Sequence, residues 1–195
     1  MKCQAKLGYI VRSMRSLFSK LPFRISRATS DRSWPWNLAK TLTQTAVFWG
    51  VFLYLVPVTI LDFESRIGLV RYDHPVLDVF AVVGFVIASL GGLSSGVTMA
   101  IAGRGTPLPV DTASRLVVVG PYRYIRNPMA FFGLAQGFFV GLYLGSYFVF
   151  PYVFLGGWIW NRYVRPIEEA ELAARFGVAY ETYRNRVPCW WFRKF

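Results

Sequence analysis

The sequence predicts an all-α integral membrane protein of about four transmembrane helices, arranged as two hairpins. Three observations predict it. Of 195 residues, 54% are hydrophobic and 18% aromatic, with a mean hydropathy of +0.37, a composition of the polytopic membrane class. Three stretches carry no charged residue: residues 41–61 (21 residues), 79–103 (25) and 127–161 (35). The basic residues are unevenly placed along the chain, with nine Lys and Arg in residues 1–40, two in 62–78, four in 102–128 and seven in 162–195.

The first two stretches are each long enough to cross a bilayer, the first with Pro57 near its end and the second with length for tilt. The third is too long for one crossing. At 1.5 Å per residue it would reach roughly 52 Å, against a hydrocarbon core of ~30 Å. Residues 129–163 are therefore expected to fold back as a tight hairpin with its tip at Gly145-Ser146, its many glycines suiting close packing. Four spans place 20 of the 22 basic residues on one side, while the opposite loop, 62–78, holds four of the ten acids. The positive-inside rule then puts both termini and the 102–128 loop in the cytoplasm, followed by a cytoplasmic C-terminal helical segment. A net charge of +12 on that side points to anionic lipid headgroups as partner, and away from nucleic acid.

Residues 1–36 form a separate segment ahead of a single domain, 37–195. Leu7, Ile10, Val11, Met14, Leu17, Phe18 and Leu21 recur at helical spacing among Lys6, Arg12, Arg15 and Lys20. This pattern describes an N-terminal amphipathic helix lying in the membrane interface; the alternative is a basic presequence that is removed or disordered. Only Cys3, Cys189 and His74 represent their residue types, so neither a disulfide framework, a metal centre nor a Ser-His triad is expected.

Two clusters bracket the hairpin. Gly120-Pro121 opens a turn and Asn127-Pro128 opens a helix, with Tyr122, Arg123, Tyr124 and Arg126 between. These residues suit an interfacial belt of aromatic and basic side chains. They equally suit a loop closing over a polar cofactor. After the hairpin come Glu168 and Glu169, which either cap a cytoplasmic helix opened by Pro166, or turn a carboxylate inward to hold a cationic ligand. Arg162, Arg165 and Arg175 surround the pair, so a salt-bridge network is a third reading. Gly103-Arg-Gly105 and residues 91–96 resemble fragments of nucleotide loops, but no βαβ pattern surrounds them; residues 91–96 read better as a helix-packing face.

Together the two brackets resemble the superfamily of isoprenylcysteine carboxyl methyltransferases and phospholipid methyltransferases. The family pattern Gly-x-Tyr-x-x-x-Arg-(His/Asn)-Pro is matched by Gly120, Tyr122, Arg126, Asn127 and Pro128. After a hydrophobic hairpin, the second part is matched by Glu168, Glu169, Leu172, Phe176, Gly177, Tyr180, Tyr183, Val187 and Pro188. Gly103-Arg-Gly-Thr-Pro-Leu-Pro109 is similar to bacterial members, so the resemblance covers roughly residues 103–192.

The resemblance implies S-adenosyl-L-methionine as cofactor, bound at the cytoplasmic face of a membrane, and a bacterial inner membrane as its location. By position, Leu116, Val117, Tyr122, Asn127, Pro128 and Met129 would line the cofactor pocket. Glu168, with Glu169 as the other candidate, would hold the polar end of the cofactor, and Arg126 would suit its carboxylate. Arg165 falls where the family places a substrate-contacting arginine, which makes Glu168 and Arg165 the catalytic candidates. Ser114 and Asn127 stand where some members carry histidine, and Ala130 where they carry tyrosine. The acceptor is expected to be lipidic or membrane-partitioned: a carboxylate, a thiol, or an amine deprotonated by Glu169 or a tyrosine. Two other readings stay open: an NADPH-dependent membrane sterol or enone reductase, and a non-catalytic membrane protein that keeps the fold.

Overall fold

A computed structural model describes residues 34–104 and 113–191, and among these the regular structure is entirely helical. The interfacial helix expected within residues 1–36 falls almost wholly outside the described residues, as does most of the 103–109 motif. Helix α1 (Trp34–Arg66) and helix α2 (Pro75–Ala102) are both long and apolar enough to cross a membrane. They are followed by a 3-10 turn (Gly120–Arg123), then α3 (Pro128–Leu144), α4 (Val149–Ile159), α5 (Arg165–Phe176) and α6 (Val178–Arg186).

Two prolines sit inside long helical runs, and each follows a π-helical stretch. Trp49–Leu55 precedes Pro57, and Trp160–Val164 precedes Pro166. A proline inside a helix has no N–H to donate and presses on the carbonyl four residues back; a wider turn relieves that crowding without ending the helix. The helix expected after the hairpin therefore opens around Pro166, but without a break. Residues 149–176 form one helical run that carries the end of the hairpin directly into the glutamate pair.

Small residues pack inside and large apolar residues lie outside, a pattern that suits helices in lipid. Ala81, Gly84, Ala88, Ser95, Gly96 and Ala100 of α2 are buried, whereas Val79, Val83, Val86, Ile87 and Leu90 are exposed. Without a hydrophobic drive between helices in lipid, close backbone approach and side-chain hydrogen bonds hold them together. The rings of Phe132 and Phe139, two turns apart on α3, fill the spaces left by Gly91 and Gly84. Between them, the buried Gln136 donates from Nε2 to Ser89 Oγ at 2.9 Å. The 91–96 segment is thus a packing face, as its spacing predicts.

Helices α3 and α4 form a hairpin, with Gly141 against Val149, Gly137 against Val153 and Gly157 against Leu134. Its tip is at Gly145, whose φ of +62° is left-handed, next to the buried Ser146. The Tyr72 carbonyl occupies the place where a Gly145 side chain would project, and Tyr72 Oη donates to the Gly141 carbonyl at 3.3 Å. Gly145→Ala would therefore meet a backbone atom as well as the left-handed penalty. A loss of about 2 kcal/mol is expected, readable as a lowered melting temperature of the detergent-solubilised protein. An unchanged melting temperature would show that the 67–74 loop moves aside freely.

Candidate functional site

The hairpin brings the beginning of α3 and the beginning of α5 together. Asn127 does two jobs there. Its Oδ1 accepts from the Ala130 N–H at 3.2 Å, capping the helix that Pro128 opens, and its Nδ2 donates to Glu168 Oε2 at 3.1 Å. Asparagine is among the best N-caps and proline among the best first-turn residues, so the local fold follows from this dipeptide. A side chain already fixed by its own helix then holds a carboxylate 41 residues away in sequence.

Glu169 faces three guanidinium groups. Arg126 Nη2 lies 3.3 Å from Oε1, Arg165 Nε 4.0 Å from Oε1, and Arg184 Nε 3.8 Å from Oε2. Arg126 is also tied through its backbone, its N–H donating to the Pro188 carbonyl at 3.0 Å. The other arginines expected around the pair lie elsewhere: Arg175 is 3.8 Å from Glu171, and Arg162 lies over the ring of Tyr163.

Arg126, Asn127, Arg165, Glu168 and Glu169 line one cavity, together with Trp160, Leu172, Tyr180, Tyr183 and Cys189. The free space between them is about 30 Å³, room for about two water molecules. Nε and Nη1 of Arg126 and Nε of Arg165 are buried without a hydrogen-bond partner. Such donors are costly to bury unused, and they are suited to an anionic group entering the cavity.

The remaining expected cofactor residues do not line this cavity. Leu116 packs on the core of Tyr180, Tyr183 and Val187. Val117 packs against Gly103, Met129 reaches Gly96, and Tyr122 and Pro128 are buried. Their place is in the wall around the site; the Tyr122 carbonyl, for example, accepts from Tyr183 Oη at 2.7 Å.

Tyr180 and Tyr183 belong to the family pattern, yet neither sequence cluster marked them as site residues. Their spacing with Val187, one face of a helix, was the available signal. Nothing in the sequence marked Trp160 or Cys189. Trp160 is set edge-on to Trp190 at 5.2 Å, and Trp190 Nε1 donates to Asn161 Oδ1 at 2.9 Å, which folds the C-terminal segment over the cavity.

The electrostatics separate the two glutamates. Burial pushes the Glu168 carboxyl from its ordinary 4.5 up to about 7; Glu169 beside it raises it further, while the Asn127 hydrogen bond pulls the other way. Glu169 is matched by arginines, whereas the hydrogen-bond partner of Glu168 is the neutral Asn127 amide. The tyrosines are poor bases here. Burial pushes Tyr180 up to about 12, and Tyr122 and Tyr183 also lie well above their usual range. All three phenols are therefore protonated near neutral pH, whereas the Glu168 carboxyl changes its charge there.

Searches against protein-family models, curated proteins and solved structures return no match to this chain.

Proposed function

We propose that this chain is an S-adenosyl-L-methionine-dependent methyltransferase, acting at the cytoplasmic face of a membrane on an acceptor that arrives through the lipid. In this reading α1, α2, α3 and residues 149–164 are four spans with both termini inside. The observation that carries it is the Asn127–Glu168 hydrogen bond, beside the Arg126–Glu169 pair. It joins the two halves of the methyltransferase-like pattern into one cavity at one end of the hairpin.

The donor set fits the polar end of the cofactor. Glu168 suits its ammonium and sulfonium, and the unpartnered Nε and Nη1 of Arg126 suit its carboxylate. When bound, the cofactor supplies an electrophilic methyl group. The cavity is smaller than a nucleoside, so binding entails movement of its walls, which include Trp160 and Leu172. Arg165, whose buried Nε has no hydrogen-bond partner and stands 4.0 Å from Glu169, would orient an anionic acceptor group, and Glu168 would take the proton from an acceptor that arrives protonated. Displacement at a methyl sulfonium needs alignment more than acid–base assistance, so a site built from fixed charges suits it.

Thermal shift of the full-length protein in detergent tests the cofactor. S-adenosylhomocysteine is expected to raise the melting temperature by several degrees and NADPH to leave it unchanged. Stabilisation by NADPH alone would move the reading to a reductase, and no response to either would remove cofactor-dependent chemistry. Transfer of label from S-adenosylmethionine into a lipid extract then identifies the acceptor.

A further inference from the structure

A second hollow lies on the outer side of the wall formed by Tyr183. It is an open groove of about 450 Å³ between the segment before the 3-10 turn and helix α6. Val118, Val119, Ala179 and Val187 supply an apolar floor, and the exposed Arg123 and Arg186 flank it. Neither arginine makes an ion pair or side-chain hydrogen bond among the described residues, although Arg184, two positions from Arg186, is engaged by Glu169 and Glu181. Val178, next to Ala179 in the chain, is 83% exposed.

The height of this groove is fixed by α2. Gly120, at the start of the turn that carries Arg123, lies against the Thr98 side chain, in the last turns of a helix long enough to cross a membrane. The groove therefore sits where hydrocarbon gives way to headgroups. Unpaired cations over exposed valines match the layering of a lipid at that depth: phosphate outside, first methylenes inside.

We propose that this groove binds an anionic phospholipid, its phosphate between Arg123 and Arg186 and its upper acyl methylenes on Val118 and Val119. Neither arginine lines the Glu168 cavity, so the proposal is independent of the methyl-transfer reading and does not fail with it. A basic surface alone would attract anionic lipid diffusely; a groove with two flanking guanidiniums retains it at one place.

The test is lipid retention by the full-length protein from mixed micelles containing phosphatidylglycerol and phosphatidylcholine in equal amounts, read by native mass spectrometry. Wild type is expected to retain phosphatidylglycerol preferentially, and R123Q and R186Q each to weaken that preference about fivefold. The double variant should retain the two lipids as they occur in the mixture. R71Q/R115Q removes the same charge from exposed positions outside the groove and is expected to keep the preference. The proposal is overturned if R123Q/R186Q keeps the preference while folded, or if R71Q/R115Q loses it equally. Displacement of the lipid by millimolar inorganic phosphate would also overturn it, since the acyl floor would then contribute nothing.

Discussion

Glu168→Gln is expected to stabilise the protein at pH 8 while removing the proposed affinity for S-adenosylmethionine. The folded protein holds the Glu168 carboxyl at about 7, against 4.5 ordinarily. Between those values the folded state binds a proton that the unfolded chain has lost. Its stabilising contribution is complete below pH 4.5 and is lost as the pH rises through 7, a change of about 3 kcal/mol at most. The Gln side chain keeps an acceptor for Asn127 Nδ2 but does not ionise, so this part of the pH dependence disappears. Melting temperatures at pH 5, 6, 7 and 8 should therefore fall in wild type by several degrees more than in the variant.

The ligand reads the same group with the opposite sign. A cationic ligand requires the ionised carboxylate, so wild-type affinity should rise roughly tenfold from pH 6 to pH 8 and then level off. Glu168→Gln should show weak binding at every pH. The two readouts separate two ideas. Stabilisation without loss of binding would leave Glu168 a buried acid and assign the cation elsewhere. A pH-independent melting temperature in wild type would contradict the burial argument itself. Gaining stability while losing binding is the pattern expected where a site keeps a desolvated charge for use.

The parts of this molecule that could be read in the sequence are those set by length and local chemistry. A charge-free stretch longer than the bilayer is thick requires a hairpin, and Gly145 marks its tip because a tight reversal needs a left-handed residue. Asn127-Pro128 reads as a helix opening for the same kind of reason. Partner choice is less legible. Arg162 and Arg175 are nearer to the glutamates in sequence than Arg126 or Arg184, yet Glu169 is met by Arg126 and Arg184 from those more distant segments, beside Arg165. The π-helical stretch Trp160–Val164 changes the angular register just ahead of the pair, so counting along an ideal helix misplaces Arg162. Tyr122, Leu116 and Val117 match a cofactor-binding pattern by position, but position does not distinguish the surface of a pocket from the layer that supports it.

Glu64→Ala is expected to be among the most damaging substitutions in the chain, at the end of the molecule far from the glutamate pair. Glu64 is 2% exposed and lies near the end of α1. Its Oε1 accepts from Ser146 Oγ at 3.0 Å and from the Phe148 N–H at 2.6 Å, while Ser146 Oγ accepts from the Val149 N–H at 3.1 Å. One carboxylate oxygen thus caps α4 from a residue 82 positions upstream of Ser146, and its charge lies at the positive end of that helix. The sequence shows Glu64 only as one of four acids in a loop. Nothing local marks it as buried, because its partners become neighbours only when the hairpin tip docks on α1. Alanine leaves two buried donors without an acceptor, a cost of about 2–5 kcal/mol. Glu64→Gln keeps an acceptor oxygen and loses the charge at the helix end, a cost of about 1 kcal/mol. The Ala variant should therefore accumulate poorly and melt far below wild type, with the Gln variant close to wild type. Equal losses in both would assign the effect to charge, and no loss in either would detach the hairpin tip from α1. In whatever Glu64→Ala protein does fold, S-adenosylhomocysteine should bind as in wild type. The acid that holds the hairpin tip and the acid proposed to meet the ligand sit at opposite ends of the same pair of helices.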